Sequence, residues 1–289
     1  MVVLYTDTDT DLTAKEASYY GYKLISMPYL YEGKEVKPYV DFLEFDYKEF
    51  YNMLRGGVIP TTCALSPEDY KKYFEEEFKN GNDILYVHFS KAMSGTFNSM
   101  HLAYKQLSEK YPDRKLYTID TKGITILSNI IVKEIGEMYL NGKSVEEIMK
   151  WAEESVDHYA TYFFADTLKF FKRSGRISNF SAIMGNLIGI KPIIYMDENG
   201  QMTNIGKERG KVKALAKLVE YVKELSIDID KHKVIIGHTD ALDLAKELGS
   251  LLINEFGNNL NIEYVVVNPT AGSHCGPDTV GVAFYAKHK

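Results

Sequence analysis

Hydroxyl groups are concentrated in one glycine-containing segment that follows a predicted strand. Ser94-Gly95-Thr96 lies between the apolar run 83–89 and a predicted helix that starts near residue 96. The first N–H groups of a helix lack internal partners and, together with the helix dipole, favour an anion. Ser94 and Thr96 add hydroxyl donors, and Gly95 allows a ligand to approach the backbone. The segment therefore suits an anionic ligand, although a helix-capping role for Ser94 explains the same pattern.

A second pair of hydroxyls and one histidine lie in segments that we predict to be irregular. Thr61 and Thr62 follow Pro60 in a predicted loop, where such side chains bind a carboxylate or cap a turn. His274 lies in the segment 272–277, which its glycine and proline residues predict to be a rigid turn. An imidazole near neutrality could serve there as a cationic or a neutral donor. Neither segment is specific by itself, because capped turns and exposed histidines are common.

A basic segment precedes the most apolar stretch of the second half. Lys172, Arg173 and Arg176 lie close together, and such cations recognise phosphate or a partner protein. A solvated basic turn accounts for them equally well. The run 180–190 that follows is apolar with small residues interspersed, which is typical of a tunnel wall or of a buried helix.

Three aspartates alternate with threonines directly after the first predicted strand. Asp7, Asp9 and Asp11 resemble a calcium loop, but Leu12 stands where that loop requires glycine. The segment also resembles the nucleophile motif of magnesium-dependent haloacid-dehalogenase-type phosphatases. In that alternative Asp9 is the nucleophile, and carboxylates from 240–243 must hold the metal. A purely structural or protein-binding module is a third hypothesis.

The bulk composition excludes several classes of function. The chain has 289 residues, a formal net charge of -6 and 45% hydrophobic residues, so it can bury a sizeable core. A mildly acidic chain is a poor candidate for nucleic-acid binding, which uses excess Lys and Arg. Cys63 and Cys275 make neither a disulfide framework nor a metal motif. With no signal peptide or membrane-spanning run recognised in the sequence, we expect a cytoplasmic protein.

The order of predicted elements differs between the two halves of the chain. Strands near 2–5, 83–89 and 115–119 are each followed by a helix, which predicts parallel βαβ units. The loops after these strands are where such folds bind ligands. The second half contains a predicted hairpin at 191–205, which indicates a mixed or antiparallel sheet. We therefore predict domains at 1–158 and 159–289.

Taken in chain order, these segments resemble the motifs of the DegV family along nearly the whole sequence. The matching segments are Thr6-Asp7-Thr8-Asp9-Thr10-Asp11-Leu12, Pro60-Thr61-Thr62, Ser94-Gly95-Thr96, Ile119-Asp120-Thr121-Lys122, the block 166–177 with Gly189-Ile190-Lys191-Pro192-Ile193, and His274-Cys275-Gly276-Pro277. Several motifs of low specificity in the right order are stronger evidence for the family than any one of them alone. Cys63 after the Thr loop and Ser174 in the basic block depart from the usual pattern, which affects the acyl-chain preference more than the function.

The resemblance implies an α/β fold with two domains and a fatty-acid tunnel between or within them. The N-terminal domain is expected to be an α/β/α unit with a mostly parallel sheet, and the C-terminal domain to have a mixed or antiparallel sheet. The resemblance also implies a non-enzymatic protein that delivers a long-chain fatty acid to a separate fatty-acid kinase. No metal and no further cofactor is expected, and transient contact with a membrane surface is compatible with this role.

The same resemblance suggests which residues hold the carboxylate of such a ligand and which lie around the opening. A buried unpaired carboxylate is costly, so it needs several donors at a partly open mouth. The expected donors are Ser94, Thr62, Thr61, Gly95, Thr96 and His274. The expected contacts to the kinase or to the new phosphate are Arg173, Arg176 and Arg209.

Overall fold

The computed structural model of the chain describes residues 1–178 and 189–289. Most of the apolar run predicted at 180–190 lies outside the described residues. The described strands are β1 (Val2–Asp7), β2 (Tyr22–Ile25), β3 (Tyr29–Tyr31), β4 (Lys34–Val36), β5 (Thr61–Thr62), β6 (Asp83–His88), β7 (Leu116–Asp120), β8 (Tyr159–Phe164), β9 (Ile177–Ser178), β10 (Ile190–Met196), β11 (Met202–Arg209), β12 (Lys233–His238), β13 (Asn261–Val266) and β14 (Val280–Tyr285). The described helices are α1 (Ala14–Tyr20), α2 (Tyr47–Arg55), α3 (Pro67–Lys79), α4 (Thr96–Lys110), α5 (Ile126–Leu140), α6 (Val145–Ser155), α7 (Lys169–Ser174), α8 (Lys211–Leu225), α9 (Leu242–Phe256) and α10 (Pro269–Cys275).

The first half forms a four-stranded parallel sheet in the order β2-β1-β6-β7. Its central strands β1 and β6 are largely buried, as expected when helices cover both faces of a parallel sheet. Helices α3 and α4 pack against each other on one side. Ser66 and Asp69 form a capping box at the start of α3, as the Ser-Pro-Glu-Asp sequence predicts.

Helix α5 lies between this sheet and the second one. Ten of its residues are buried, and the six apolar ones with large side chains belong to one hydrophobic cluster with residues of β1, β6, β12 and β14. A helix that is apolar around most of its circumference must be covered on more than one side. Helix α5 is therefore a central layer that packs against both halves of the chain.

The second half forms a seven-stranded mixed sheet in the order β13-β12-β14-β8-β10-β11-β9. The β10–β11 hairpin is antiparallel, whereas β12 pairs with β13 in parallel. Helices α8 and α9 cover the outer face with a second apolar cluster. The predicted fold class, a parallel sheet followed by a mixed one, is confirmed. The domain boundary at 158 falls just before β8 and stays a prediction.

Two local predictions were wrong. The predicted loop containing Thr61 and Thr62 is strand β5, which pairs with β3 in a small three-stranded sheet. The predicted turn at 272–277 is largely the end of helix α10, so His274 lies in the last turn of a helix. Asn268 caps that helix, and a proline occupies its first turn, a combination that favours helix initiation. Within the described residues, no helix is long and apolar enough to cross a membrane.

Candidate functional site

An apolar cavity lies between the central helix and the mixed sheet, with walls from both halves of the chain. The described residues that line it are Asp9, Met27, Thr62, Cys63, Phe89, Met93, Ser94, Ile124, Thr125, Ile126, Thr161, Phe163, Arg176, Met196, Met202, Gly237, Val267, Thr270, Ala271, His274, Cys275, Thr279 and Gly281. Four methionines and two phenylalanines are among them, and flexible methionine side chains suit an irregular hydrocarbon surface.

The sheet side of the cavity is shaped by two glycines that face each other on neighbouring strands. Gly237 of β12 pairs in register with Gly281 of β14. A Cβ at position 237 would lie 2.5 Å from Cγ2 of Ile126, so only glycine lets the start of α5 approach the sheet this closely. Ile126 therefore becomes part of the cavity wall.

One polar cluster lies on the wall where β5 and α10 meet. The Thr62 Oγ1 and His274 Nε2 atoms are 3.0 Å apart, although 212 residues separate them in the sequence. Burial and, as a smaller effect, the nearby Arg176 guanidinium together lower the pKa of His274 to about 4. The imidazole is therefore neutral near pH 7, and one of its nitrogens can donate while the other accepts.

Ser94 faces the same cavity from the loop between β6 and α4. Its Oγ accepts a hydrogen bond from the Thr96 backbone N–H at 3.2 Å, so its hydroxyl hydrogen can point elsewhere. Arg176 is exposed, lines the cavity and donates to the Ser174 carbonyl. The structure thus brings Ser94, Thr62, His274 and Arg176 to one cavity.

Other candidates lie away from the cavity surface. Thr61 is exposed on β5, and Gly95 is exposed at the start of α4. The Thr96 hydroxyl is buried and accepts from the Leu65 N–H at 3.1 Å, so it holds α4 to the preceding loop. The Thr96 hydroxyl also lies 3.0 Å from the Tyr70 hydroxyl, and Thr96 does not line the cavity, so its role in carboxylate binding stays a prediction.

The two remaining arginines occupy different places. Arg173 is exposed and donates to the Ile59 carbonyl at 3.0 Å, next to the segment that carries Thr62. Strand β11 begins at Met202 and ends at the exposed Arg209. Seven residues of extended strand place the two roughly 23 Å apart. Arg209 is thus separated from the cavity wall that Met202 lines.

The aspartates of the first loop are buried under the cavity. Asp7 accepts from the Tyr86 hydroxyl at 3.0 Å and from the Phe89 N–H at 3.1 Å. Asp11 accepts from both the backbone N–H and the amide of Asn268, at 2.8 and 2.7 Å. Burial nevertheless raises the pKa of Asp7 and of Asp11 to about 7. Asp9 is the member of the set that lines the cavity.

The carboxylates required by the phosphatase alternative are arranged otherwise. The Asp240 carboxylate forms an ion pair with the Arg55 guanidinium, with Oδ2 and Nη1 2.6 Å apart. Asp243 is exposed in the first turn of α9. Over 1–178 and 189–289, no group of three His, Cys, Asp or Glu side chains could hold a metal ion.

Several lining residues were not predicted from the sequence. Phe163 and Thr161 alternate along β8 with residues that face the outer cluster, so strand periodicity could have identified them. The lining methionines Met27, Met93, Met196 and Met202 come from four separate segments. Met196 and Met202 are cross-strand partners in the β10–β11 hairpin, whereas only the packing of the sheets brings them close to Met27 and Met93.

Comparison with known proteins identifies the family. The model of the DegV family, described as an uncharacterised protein family, matches residues 1–287. A DegV domain-containing protein of Clostridium perfringens is 31% identical over 99% of this chain and 98% of its own length. Another, from Clostridium acetobutylicum, is 32% identical over 99% of each chain. The chain belongs to the DegV family.

Solved structures share the fold over the full length. A fatty acid binding DegV family protein from Streptococcus agalactiae has a TM-score of 0.84 at 24% identity, covering 100% of this chain and 99% of that one. A stearic acid-binding protein from Eubacterium ventriosum has a TM-score of 0.85 at 22% identity, covering 99% of each chain. A DegV family protein from Thermus thermophilus, described by its fatty acid binding, has a TM-score of 0.85 at 23% identity and the same coverage.

Proposed function

We propose that this protein binds one long-chain fatty acid in the cavity and presents its carboxyl end to a separate kinase in the cytoplasm. The observation that carries the proposal is the apolar cavity whose wall includes the cluster Ser94, Thr62, His274 and Arg176. The fatty-acid binding of proteins with the same fold supports the choice of ligand.

The apolar wall provides most of the binding free energy. Burial of hydrocarbon contributes about 0.8 kcal/mol per CH₂, so a chain of ~15 methylenes contributes ~12 kcal/mol before ordering costs. Loss of translational and rotational freedom offsets a large part of this. Tight binding is therefore expected without a strong polar contact.

Hydrogen bonds from the polar cluster replace those that the carboxylate loses when it leaves water. With its proton on Nε2, neutral His274 donates to Thr62, and the Thr62 hydroxyl is then free to donate to the carboxylate. The Ser94 hydroxyl provides a second donor, and the exposed Arg176 guanidinium supplies a positive charge. Because Arg176 is exposed to solvent, this side of the cavity is the natural place for a kinase to reach the acid.

The binding proposal is tested by extraction and by a double variant. Denaturing mass spectrometry of the purified protein should show one fatty acid per chain. Thr62→Val with Ser94→Ala should weaken binding of a fluorescent fatty acid about tenfold, because two hydroxyl donors are lost. Thr61→Val is the matched control, since this neighbouring hydroxyl is exposed on β5 and does not line the cavity. Equal affinities of the double variant and the wild type would remove the carboxylate assignment.

The kinase proposal concerns the basic surface beside the cavity. Arg173→Gln removes a positive charge but keeps an N–H donor for the Ile59 carbonyl. We expect phosphorylation of the bound acid by its kinase to slow about tenfold, through loss of charge pairing, while the affinity for the fatty acid is retained. Arg209→Gln is the control at the distant end of β11. If only Arg209→Gln slowed phosphorylation, the kinase would bind near the end of β11 and not near Arg173.

A further inference from the structure

One carboxyl group in the cavity wall lacks the partner that a buried polar group normally has. Asp9 is only 5% exposed and lines the cavity. Its Oδ1 atom has no hydrogen-bond partner among the described residues. Buried polar atoms without partners are rare in native proteins and cost stability, so each one requires an explanation.

Other polar groups of the wall are already satisfied by the backbone. The Thr161 hydroxyl donates to the Val282 carbonyl at 3.0 Å, and the Thr270 hydroxyl donates to the Met27 carbonyl at 2.7 Å. These threonines therefore present mainly their methyl groups to a ligand. Asp9 differs from them because one of its carboxyl oxygens has no partner among the described residues.

Thr125 lies next to Asp9 and is held in a strained conformation. Its N–H donates to the Asp9 carbonyl at 2.7 Å, and its φ of 52° with ψ of -127° is a region that glycine normally occupies. The Thr125 side chain caps no N–H of α5, and the residue lines the cavity. Its hydroxyl is therefore available to a ligand close to Asp9.

We propose that Asp9 and Thr125 form an inner polar subsite for a hydroxyl group carried along the acyl chain. This inference rests on the proposed function and specifies its substrate class as hydroxylated long-chain fatty acids. The hydroxyl of such a chain would pair with the free Asp9 oxygen, while the carboxylate stays at the cluster of Ser94, Thr62 and His274.

The protonation state of Asp9 suits an alcohol and not a cation. Burial raises its pKa well above the usual value, and the negative charges of Asp7 and Asp11 act in the same direction. A neutral carboxyl group both donates and accepts, as an alcohol does, so the two can form a reciprocal pair. The other unpartnered oxygens, Asp11 Oδ2 and Asn129 Oδ1, do not belong to residues of the cavity wall.

The test compares two ligands that differ by one oxygen atom. Delipidated protein is titrated with octadecanoic acid and with a set of hydroxyoctadecanoic acids that carry the hydroxyl at different carbons. We expect at least one positional isomer to bind about tenfold more tightly than octadecanoic acid, because it satisfies a buried group that otherwise has no partner. Equal affinities across the whole set would overturn the inner subsite and leave the proposed function standing. Failure of every acid to bind would overturn both.

Two variants at position 9 separate recognition from structure. Asp9→Leu should invert the preference, since an apolar wall favours octadecanoic acid. Asp9→Asn keeps a donor and an acceptor and should retain the preference for the hydroxylated isomer. Thr125→Gly, which suits the local backbone, should reduce that preference without unfolding the protein. The same preference in Asp9→Leu as in the wild type, or a cation bound at Asp9 that excludes the hydroxyl, would contradict the proposal.

Discussion

Individual residues in the first loop determine how the protein responds to pH. Asp7 and Asp11 have folded-state pKa values raised to about 7 by burial, against an ordinary value of 3.8. Between these values the folded state binds more protons than the unfolded state. Their contribution to stability is therefore complete below about pH 4 and is lost as pH rises through about 7.

We predict that the protein becomes more stable as the pH falls from about 8 to about 6.5. Each of the two carboxyl groups should add about 1 kcal/mol to the free energy of unfolding over this interval. His274, whose pKa is lowered to about 4, opposes this trend only below its unfolded value of 6.5. Thermal melts across the interval provide the measurement. Asp7→Asn should reduce the dependence without removing it, because Asp9 and Asp11 also have raised pKa values. A melting temperature that decreases as the pH is lowered would contradict the assignment.

At the scale of elements, the residue that precedes α5 has a strained backbone and also lines the cavity. Thr125 is β-branched, yet its backbone lies in a region suited to the first central residue of a type II′ turn. The hydrogen bond from its N–H to the Asp9 carbonyl and the packing of Ile126 on Gly237 hold it in this conformation. Such strain persists only where the surrounding structure enforces it.

Replacement of Thr125 by glycine should stabilise the protein by about 1 kcal/mol. Relief of backbone strain amounts to roughly 1–3 kcal/mol, and the greater freedom of glycine in the unfolded chain offsets part of it. Thr125→Ala serves as the control, because it removes the hydroxyl but keeps the unfavourable φ. Chemical denaturation of both variants measures the difference. A glycine variant less stable than the alanine variant would show that the backbone is not strained.

At the scale of the whole molecule, the two sheets share one continuous core through α5. Polar contacts also cross between the halves: Asp11 accepts from Asn268, and the Tyr51 hydroxyl donates to the Val267 carbonyl at 2.8 Å. Lys133 is buried and forms ion pairs with Glu16 and Glu263 from opposite halves. The cavity itself exists only when both halves are in place.

We therefore predict that the chain unfolds in a single transition and that the fragment 1–158 does not fold alone. Removal of the mixed sheet would expose the buried face of α5 that packs on β12 and β14. Calorimetry of the full chain should give one peak, which moves to higher temperature with saturating fatty acid. The fragment should lack a cooperative melt. A fragment with native-like cooperative unfolding would show that the domains predicted at 158 are independent.

Much of the local structure could be predicted from the sequence. Strand and helix periodicity correctly indicated β1, β6, α4, α5 and the β10–β11 hairpin, because these patterns reflect burial within one element. The segments that became β5 and α10 are short, and their polar and glycine-rich composition resembles that of turns. Their regular structure depends on contacts with β3 and α2 that no local pattern reveals.

The sequence by itself determined the alternation of elements, the family motifs and the presence of hydroxyls, a histidine and arginines suited to an acid. Tertiary structure alone decided which of these share a cavity: Thr62 meets His274 there, whereas the Thr96 hydroxyl is engaged by the Leu65 N–H. It also placed Asp9 on the wall without a partner for one oxygen. The physical reason is that periodicity reports which face of an element is buried, whereas contacts between distant residues depend on how whole sheets and helices pack.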